Sequence, residues 1–277
     1  AGMKDRHGMA RQWFSVSLQE AAQTDWKSWS VPDVVVLAAR RHTRKLKRGA
    51  LRGNRFRLVL RDLADPAGDL EERLEVVREH GVPNYFGPQR FGHGGRNVAS
   101  AARWLETGGR LPRNKRSIYL SAARSFLFNE VLSSRVDAGN WTRIIDGDIA
   151  LLDGSRSVFS CSMPDEVLER RCHEFDIHPT GPLPGRGGKS SEGAALVLEG
   201  RALAEHGTLI EGLERAGAES ARRSLRLRAE ALEWQRDDDV LVLKFSLPAG
   251  AYATSLLREI VEAADAMSDS GRMPSEN

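Results

Sequence analysis

Val240-Leu-Val-Leu-Lys-Phe-Ser-Leu247 is an apolar run, with Asp237, Asp238 and Asp239 before it and Pro248 after it. It reads as a mostly buried strand. Its position decides the fold. Helical spacing fills Asn97–Glu106, Lys115–Val136, Pro164–Glu174 and Ser191–Leu213, all upstream of it. Strand signals also precede that block. Arg11–Val16 is short and aromatic, and Val31–Ala39 is β-branched and nearly continuous, the pattern of a buried strand. Arg55–Arg61 alternates, with Phe56, Leu58 and Leu60 on one face and Arg55, Arg57 and Arg61 on the other. A helix is predicted from an Asp69 cap to His80, stopped by Gly81. Another runs from Thr254 to about Met267. The fold class is therefore α+β: a domain with a mixed, mainly antiparallel sheet, interrupted by a mainly helical insertion. The expected boundaries are 1–79 and 229–267 for the split domain, 80–228 for the insertion and 268–277 for a disordered tail.

Composition narrows the function classes. The 277 residues are 40% hydrophobic and 29% charged, the profile of a folded protein. No apolar run approaches the ~18–20 residues of a membrane span, so no membrane partner is expected. Cys161 and Cys172 cannot build a disulfide framework, and no CxxC or paired Cys/His spacing suggests zinc. A reduced, cytoplasmic protein is expected, as a monomer. The opening Ala1-Gly-Met-Lys-Asp-Arg-His7 lacks an initiator Met and suggests that an N-terminal piece of the first domain is missing.

Charge is distributed unevenly. The net charge is only +3. Yet Arg40, Arg41, Arg44, Lys45, Lys47, Arg48, Arg52, Arg55, Arg57 and Arg61 fall within 40–61 with no acid among them. Such a stretch can bind a polyanion by counterion release, or be a solvated basic face. The Gly-Pro-rich segment Pro179–Gly188 reads as a loop. It lacks the glycine spacing of a phosphate loop, since Leu183 stands where a glycine is needed. The histidines show no HExxH spacing, and no GxSxG elbow marks a serine hydrolase.

Four segments, read together, resemble the tRNA pseudouridine synthase D (TruD) family. They are Ala1–Ser15 with its Ala-Gly-Met-Lys-Asp start, Lys45–Phe56 with Gly53-Asn-Arg-Phe56, Asn84-Tyr-Phe-Gly-Pro-Gln-Arg-Phe-Gly92, and Phe245–Glu259 with Leu247-Pro-Ala-Gly-Ala-Tyr-Ala-Thr254. Ser121–Asn129 and Asp146-Gly-Asp148 also fit. Gly8 and Ala10 depart from the family pattern. The resemblance implies isomerisation of uridine to pseudouridine in tRNA, at position 13. This chemistry needs no cofactor, because no redox step or external group is involved.

The resemblance places the nucleophile on Asp5, whose neighbours Lys4 and Arg6 favour the ionised carboxylate. It implies substrate contacts for Asn54, Phe56 and Tyr252. Phe56 either stacks on a flipped uracil or packs in the core with Leu58 and Leu60. Tyr252 is either a substrate contact or a buried tyrosine with a satisfied hydroxyl. Arg44, Lys45, Lys47, Arg48 and Arg90 are candidate RNA contacts, and Asn84–Gly92 a hinge that frames the RNA. Two alternatives are an RNA-binding protein or fragment without catalytic activity, and a magnesium-dependent phosphate hydrolase using Asp5, Asp146 and Asp148.

Overall fold

The computed structural model describes residues 8–17, 19, 24–26, 28–29, 31–47, 51–65 and 68–261. The chain divides into two compact units, Ala1–Asn54 and Arg55–Asn277.

In the first unit the described residues form little regular structure. A single bridge pairs Val31 with Val34. Arg11–Val16 is not a strand. Val31–Ala39, predicted as a buried strand, is largely exposed, with Val35 at 80% and Leu37 at 64%. β-branched residues favour a strand only where a neighbour accepts the ladder hydrogen bonds and covers a face. No such neighbour pairs with Val35–Ala39 among the described residues. Leu46 N–H donates to Ser15 Oγ at 3.2 Å, which ties the two ends of this unit's irregular chain.

The second unit opens with β1 (Gly53–Leu60), whose first two residues belong to the preceding unit. Then come α1 (Leu70–His80) and β2 (Val82–Pro83). Helices α2 (Arg96–Thr107) and α3 (Arg113–Asp137) lead to β3 (Asp148–Leu152) and β4 (Val158–Cys161). Next are α4 (Glu166–His173), β5 (Ile177–Leu183), α5 (Gly193–Ala202) and α6 (Gly207–Arg215). The chain closes with β6 (Ala221–Ser224), β7 (Arg226–Leu227), β8 (Glu230–Asp237), β9 (Val240–Pro248) and α7 (Ala253–Ile260). The end of the last predicted helix and the 268–277 tail lie outside the described residues.

One sheet has the order β1-β9-β8. Its central strand β9 alternates, burying Leu241, Leu243, Phe245 and Leu247 against Leu70, Leu74 and Val77 of α1 and Leu256 and Ile260 of α7. Each such side chain contributes about 1.5–3 kcal/mol by leaving water. Truncating Leu243, which is fully buried, costs about 2–5 kcal/mol. Arg55 and Arg57 of β1 face solvent as its alternation predicts, while Phe56, Leu58 and Leu60 pack on the core. The edge strand β8 carries Glu230, Glu233, Arg236 and Asp237, a charged edge that resists pairing with other chains. Gly81 ends α1 at φ 75°, and a Cβ there would lie 2.7 Å from the Leu227 carbonyl oxygen. Only glycine allows that approach.

A second sheet, β4-β3-β5-β6, stands among the helices. Its strand β5 contains Pro179 and Pro182, and so covers part of the segment predicted as a loop. Proline is tolerated because the pairing is staggered. Ile177–Pro179 pairs with β3, and Thr180–Leu183 with β6, so no residue of β5 is paired on both sides. A core of Ala101, Leu105, Ala123, Leu127 and Leu213 joins α2, α3 and α6. No helix among the described residues is long and apolar enough to cross a membrane.

Candidate functional site

Asn84–Gly92 leaves β2 and runs past β6, α3 and α7, and its polar groups are satisfied by each in turn. Asn84 N–H donates to the Leu225 carbonyl at 2.8 Å, and Asn84 Nδ2 to the Ser224 carbonyl at 2.9 Å. Phe86 N–H donates to Asn129 Oδ1 at 3.0 Å, and Asn129 Nδ2 returns a bond to the Phe86 carbonyl at 3.1 Å. Ser255 Oγ donates to the Tyr85 carbonyl at 2.9 Å. A segment held from three sides has little freedom to move, so side chains mounted on it are preorganised.

The chief of these is Arg90, at the end of a 3₁₀ turn spanning Pro88–Arg90. Its Nε donates to the Tyr252 hydroxyl at 2.9 Å and its Nη1 to Ser121 Oγ at 3.0 Å. Its guanidinium carbon lies 5.5 Å from the Phe86 ring centre and 5.9 Å from that of Tyr252. Gly87 makes this possible, since a Cβ there would stand 3.3 Å from Tyr252 Cδ1 and 3.1 Å from Thr254 Oγ1. Tyr252 itself is only 9% exposed.

A second guanidinium supports the first. Arg223 Nη2 donates to Asn84 Oδ1 at 2.5 Å, and its carbon sits 4.1 Å from the Phe86 ring centre. Burial pushes its pKa down to about 10, Tyr252 counteracts this, and the like charge of Arg90 adds to it. It remains a cation at neutral pH. Two cations thus converge on one aromatic ring, with no carboxylate among the described residues bonded to either, an arrangement suited to an anionic ligand.

Arg223 was not singled out from the sequence. Its signal was the run Arg222, Arg223, Arg226 and Arg228, four arginines in seven residues. The same strand region uses its other arginines structurally. Arg222 pairs with Glu199 at 2.5 Å, and Arg226 Nε donates to His178 Nδ1 at 3.1 Å.

The remaining candidates are placed as follows. Asn54 and Phe56 alternate along β1 and are half-buried. The Phe56 ring stacks on Phe245, with centres 5.2 Å apart and planes at 22°, so one face of the ring is taken up by the core. Arg44, Lys45 and Lys47 are exposed, as are Arg40, Arg41, Arg52, Arg55, Arg57 and Arg61. Asp5 and Arg48 lie outside the described residues.

Asp146 and Asp148 have partners of other kinds. Asp148 is fully buried and bidentate with Arg135, at 3.1 and 3.0 Å, and accepts from Ile145 N–H at 2.8 Å. Burial pushes its carboxyl up and Arg135 opposes that. Asp146 accepts from Ala194 N–H at 3.2 Å, at the start of α5. Among the described residues no cluster of three or more His, Cys, Asp or Glu could hold a metal ion.

The chain is thus of the α+β class, with arginines gathered on the aromatic Asn84–Gly92 segment. The profile of the tRNA pseudouridine synthase D (TruD) family matches residues 1–102 and 96–260. The chain belongs to that family. It is 51% identical over 264 residues to the tRNA pseudouridine synthase D of Methylococcus capsulatus, covering 95% of this chain and 75% of that one. With the Nitrosococcus oceani protein of the same name it shares 47% identity over 272 residues, 96% of this chain and 76% of the other. The TruD crystal structure from Methanosarcina mazei superposes with a TM-score of 0.66 over 86% of this chain and 75% of that one. At 20% identity, that likeness shows a shared fold.

Proposed function

We propose that this protein isomerises uridine to pseudouridine in tRNA, at position 13, with Asp5 as the nucleophile. The observation that carries the reading is the family match across almost the whole chain, which includes the Ala1–Asp5 stretch. In this reaction the N1–C1′ bond breaks, the uracil turns, and a C5–C1′ bond forms. The C5 proton is lost and N1 gains one, so the atoms balance without oxidant or cofactor. The Asp5 carboxylate attacks C1′ or helps form a glycal, holding the sugar while the base turns. Asn54 offers its amide to the uracil edge, and Phe56 and Tyr252 bound the pocket. Arg44, Lys45, Lys47, Arg48 and Arg90 bind phosphates, which position the RNA without reading its sequence. Residues 1–79 and 229–267 form the catalytic part, and 80–228 the insertion.

The test uses the chain as it stands, with bulk tRNA and a carbodiimide that tags pseudouridine. The product should appear at position 13 with the unaltered chain. Asp5→Asn should abolish it while tRNA affinity changes less than twofold. Turnover by the Asn variant would remove Asp5 from the mechanism. Binding without product from the unaltered chain would leave an RNA-binding protein.

A further inference from the structure

Helix α3 begins against the electrostatics of its own backbone. Its first turn holds Arg113, Lys115 and Arg116 and no acidic residue. The unpaired N–H groups of a helix start favour anions and disfavour cations. That conflict lies beside a cleft of about 380 Å³. Arg113, Arg116, Ser117, Ser121 and Arg124 line it from one face of α3, and Phe86 closes one wall. No carboxylate is among its lining residues.

Arg116 and Arg124 are anchored by backbone carbonyls, and neither forms a salt bridge with a carboxylate among the described residues. Arg116 Nη2 donates to the Ala216 carbonyl at 2.5 Å. Arg124 Nη2 donates to the carbonyls of Leu183 at 3.1 Å and Glu219 at 2.6 Å. Arg124 Nε is screened from solvent and meets no acceptor among the described residues. Burial pushes the Arg124 guanidinium pKa down, and Glu219 opposes that. A screened donor without an acceptor is costly to leave unmatched, and three guanidinia in one cleft repel one another. An anion with several oxygens relieves the repulsion, since it can accept from more than one guanidinium and from the serine hydroxyls. The Ser121 hydroxyl also accepts from Arg90, so the cleft is continuous with the hinge.

We infer that this cleft is a phosphate subsite, in which Arg113, Arg116 and Arg124 hold backbone phosphodiesters of the RNA substrate. The inference deepens the proposed function and rests on its RNA-directed reading. The subsite acts in binding and orientation, and takes no part in the isomerisation itself.

The test compares Arg113→Gln/Arg116→Gln with the unaltered chain and with Arg113→Lys/Arg116→Lys, measuring tRNA affinity across a salt series and turnover at saturating tRNA. The Gln pair should flatten the slope of log affinity against log salt by roughly one to two units. It should raise KM about tenfold or more and leave kcat within twofold, because the lost contacts are to phosphates. The Lys pair should keep most of the slope. The single Arg113→Gln, at an exposed position, should show about half the effect if the pair does not fold. A Gln pair that folds and keeps the full slope would overturn the subsite. Affinity needs no turnover. A flattened slope without pseudouridine from the unaltered chain would therefore sink the proposed reaction and keep the subsite. Turnover with an unchanged slope would do the reverse. A chain with no salt-dependent tRNA affinity would overturn both.

Discussion

Arg90 and Tyr252 are 162 residues apart and joined by a 2.9 Å hydrogen bond from the guanidinium Nε to the phenol oxygen. The bond ties the Pro88–Arg90 turn to the residue that precedes α7. It therefore couples the Asn84–Gly92 segment to the end of β9 and the start of α7. The tyrosine oxygen thus accepts from within the protein, which leaves its O–H and its ring to offer a ligand.

Tyr252→Phe separates these two uses. It keeps the ring and removes the acceptor of a charged, part-buried donor. The cost should be about 1–3 kcal/mol of stability. In a chain of this size each kcal/mol lowers Tm by about 2–4 °C. If the ring is the substrate contact, kcat in the folded fraction should stay within about threefold. A variant of normal Tm would show that the bond contributes nothing.

Phe56→Ala asks a different question, since the Phe56 ring shares a stack with Phe245. Removing a half-buried aromatic should cost about 2–4 kcal/mol, near or below the range for fully buried Phe. If the exposed face also stacks on uracil, single-turnover rates should fall at least tenfold in protein that is still folded, with tRNA affinity little changed. Melts run beside the kinetics distinguish the outcomes. A lower Tm with normal chemistry would make Phe56 a packing residue.

Arg44, Lys45 and Lys47 are exposed, so replacing all three by Gln should leave Tm unchanged within a degree or two. Affinity for all tRNAs should fall about equally, and the salt slope should flatten by roughly two to three units. A slope identical to that of the unaltered chain would mark the stretch as a solvated face.

His178 predicts a pH effect on stability. It is 5% exposed, its Nδ1 accepts from Arg226 Nε at 3.1 Å, and its Nε2 faces Asp153 Oδ1 at 2.9 Å. Arg226 needs Nδ1 unprotonated, so the ring is neutral with its proton on Nε2. Burial lowers its pKa from the usual 6.5, the Asp153 hydrogen bond opposes this, and the Arg226 charge reinforces it. A lowered imidazole pKa means that the unfolded chain binds the proton more readily. Stability is then full above pH 6.5 and declines as the pH falls below it. Tm should drop more between pH 7 and pH 5 in the unaltered protein than in His178→Gln. Parallel pH profiles of the two would exclude His178 as the cause.

The sequence by itself determined the features that act over a few residues. The alternation of Phe56, Leu58 and Leu60 and the stop at Gly81 could be read directly, because period and backbone freedom are local properties. So could the basic stretch 40–61 and the four motifs that carry the family likeness. Only the tertiary structure decided what depends on partners. Val31–Ala39 has strand composition, yet beyond the Val31–Val34 bridge it has no pairing neighbour among the described residues, and Val31, Val34 and Val35 stay exposed. Ile177–Leu183 has loop composition, yet becomes a strand because β3 and β6 meet it in different halves. Glu230–Asp237 is too polar to announce itself, and exists because β9 offers it an edge. Arg223 and Arg90 are ordinary arginines in sequence. Their place around Phe86 arises because β6, the Asn84–Gly92 segment and the start of α7 converge there, and a contact across such distances in the chain leaves no periodic trace.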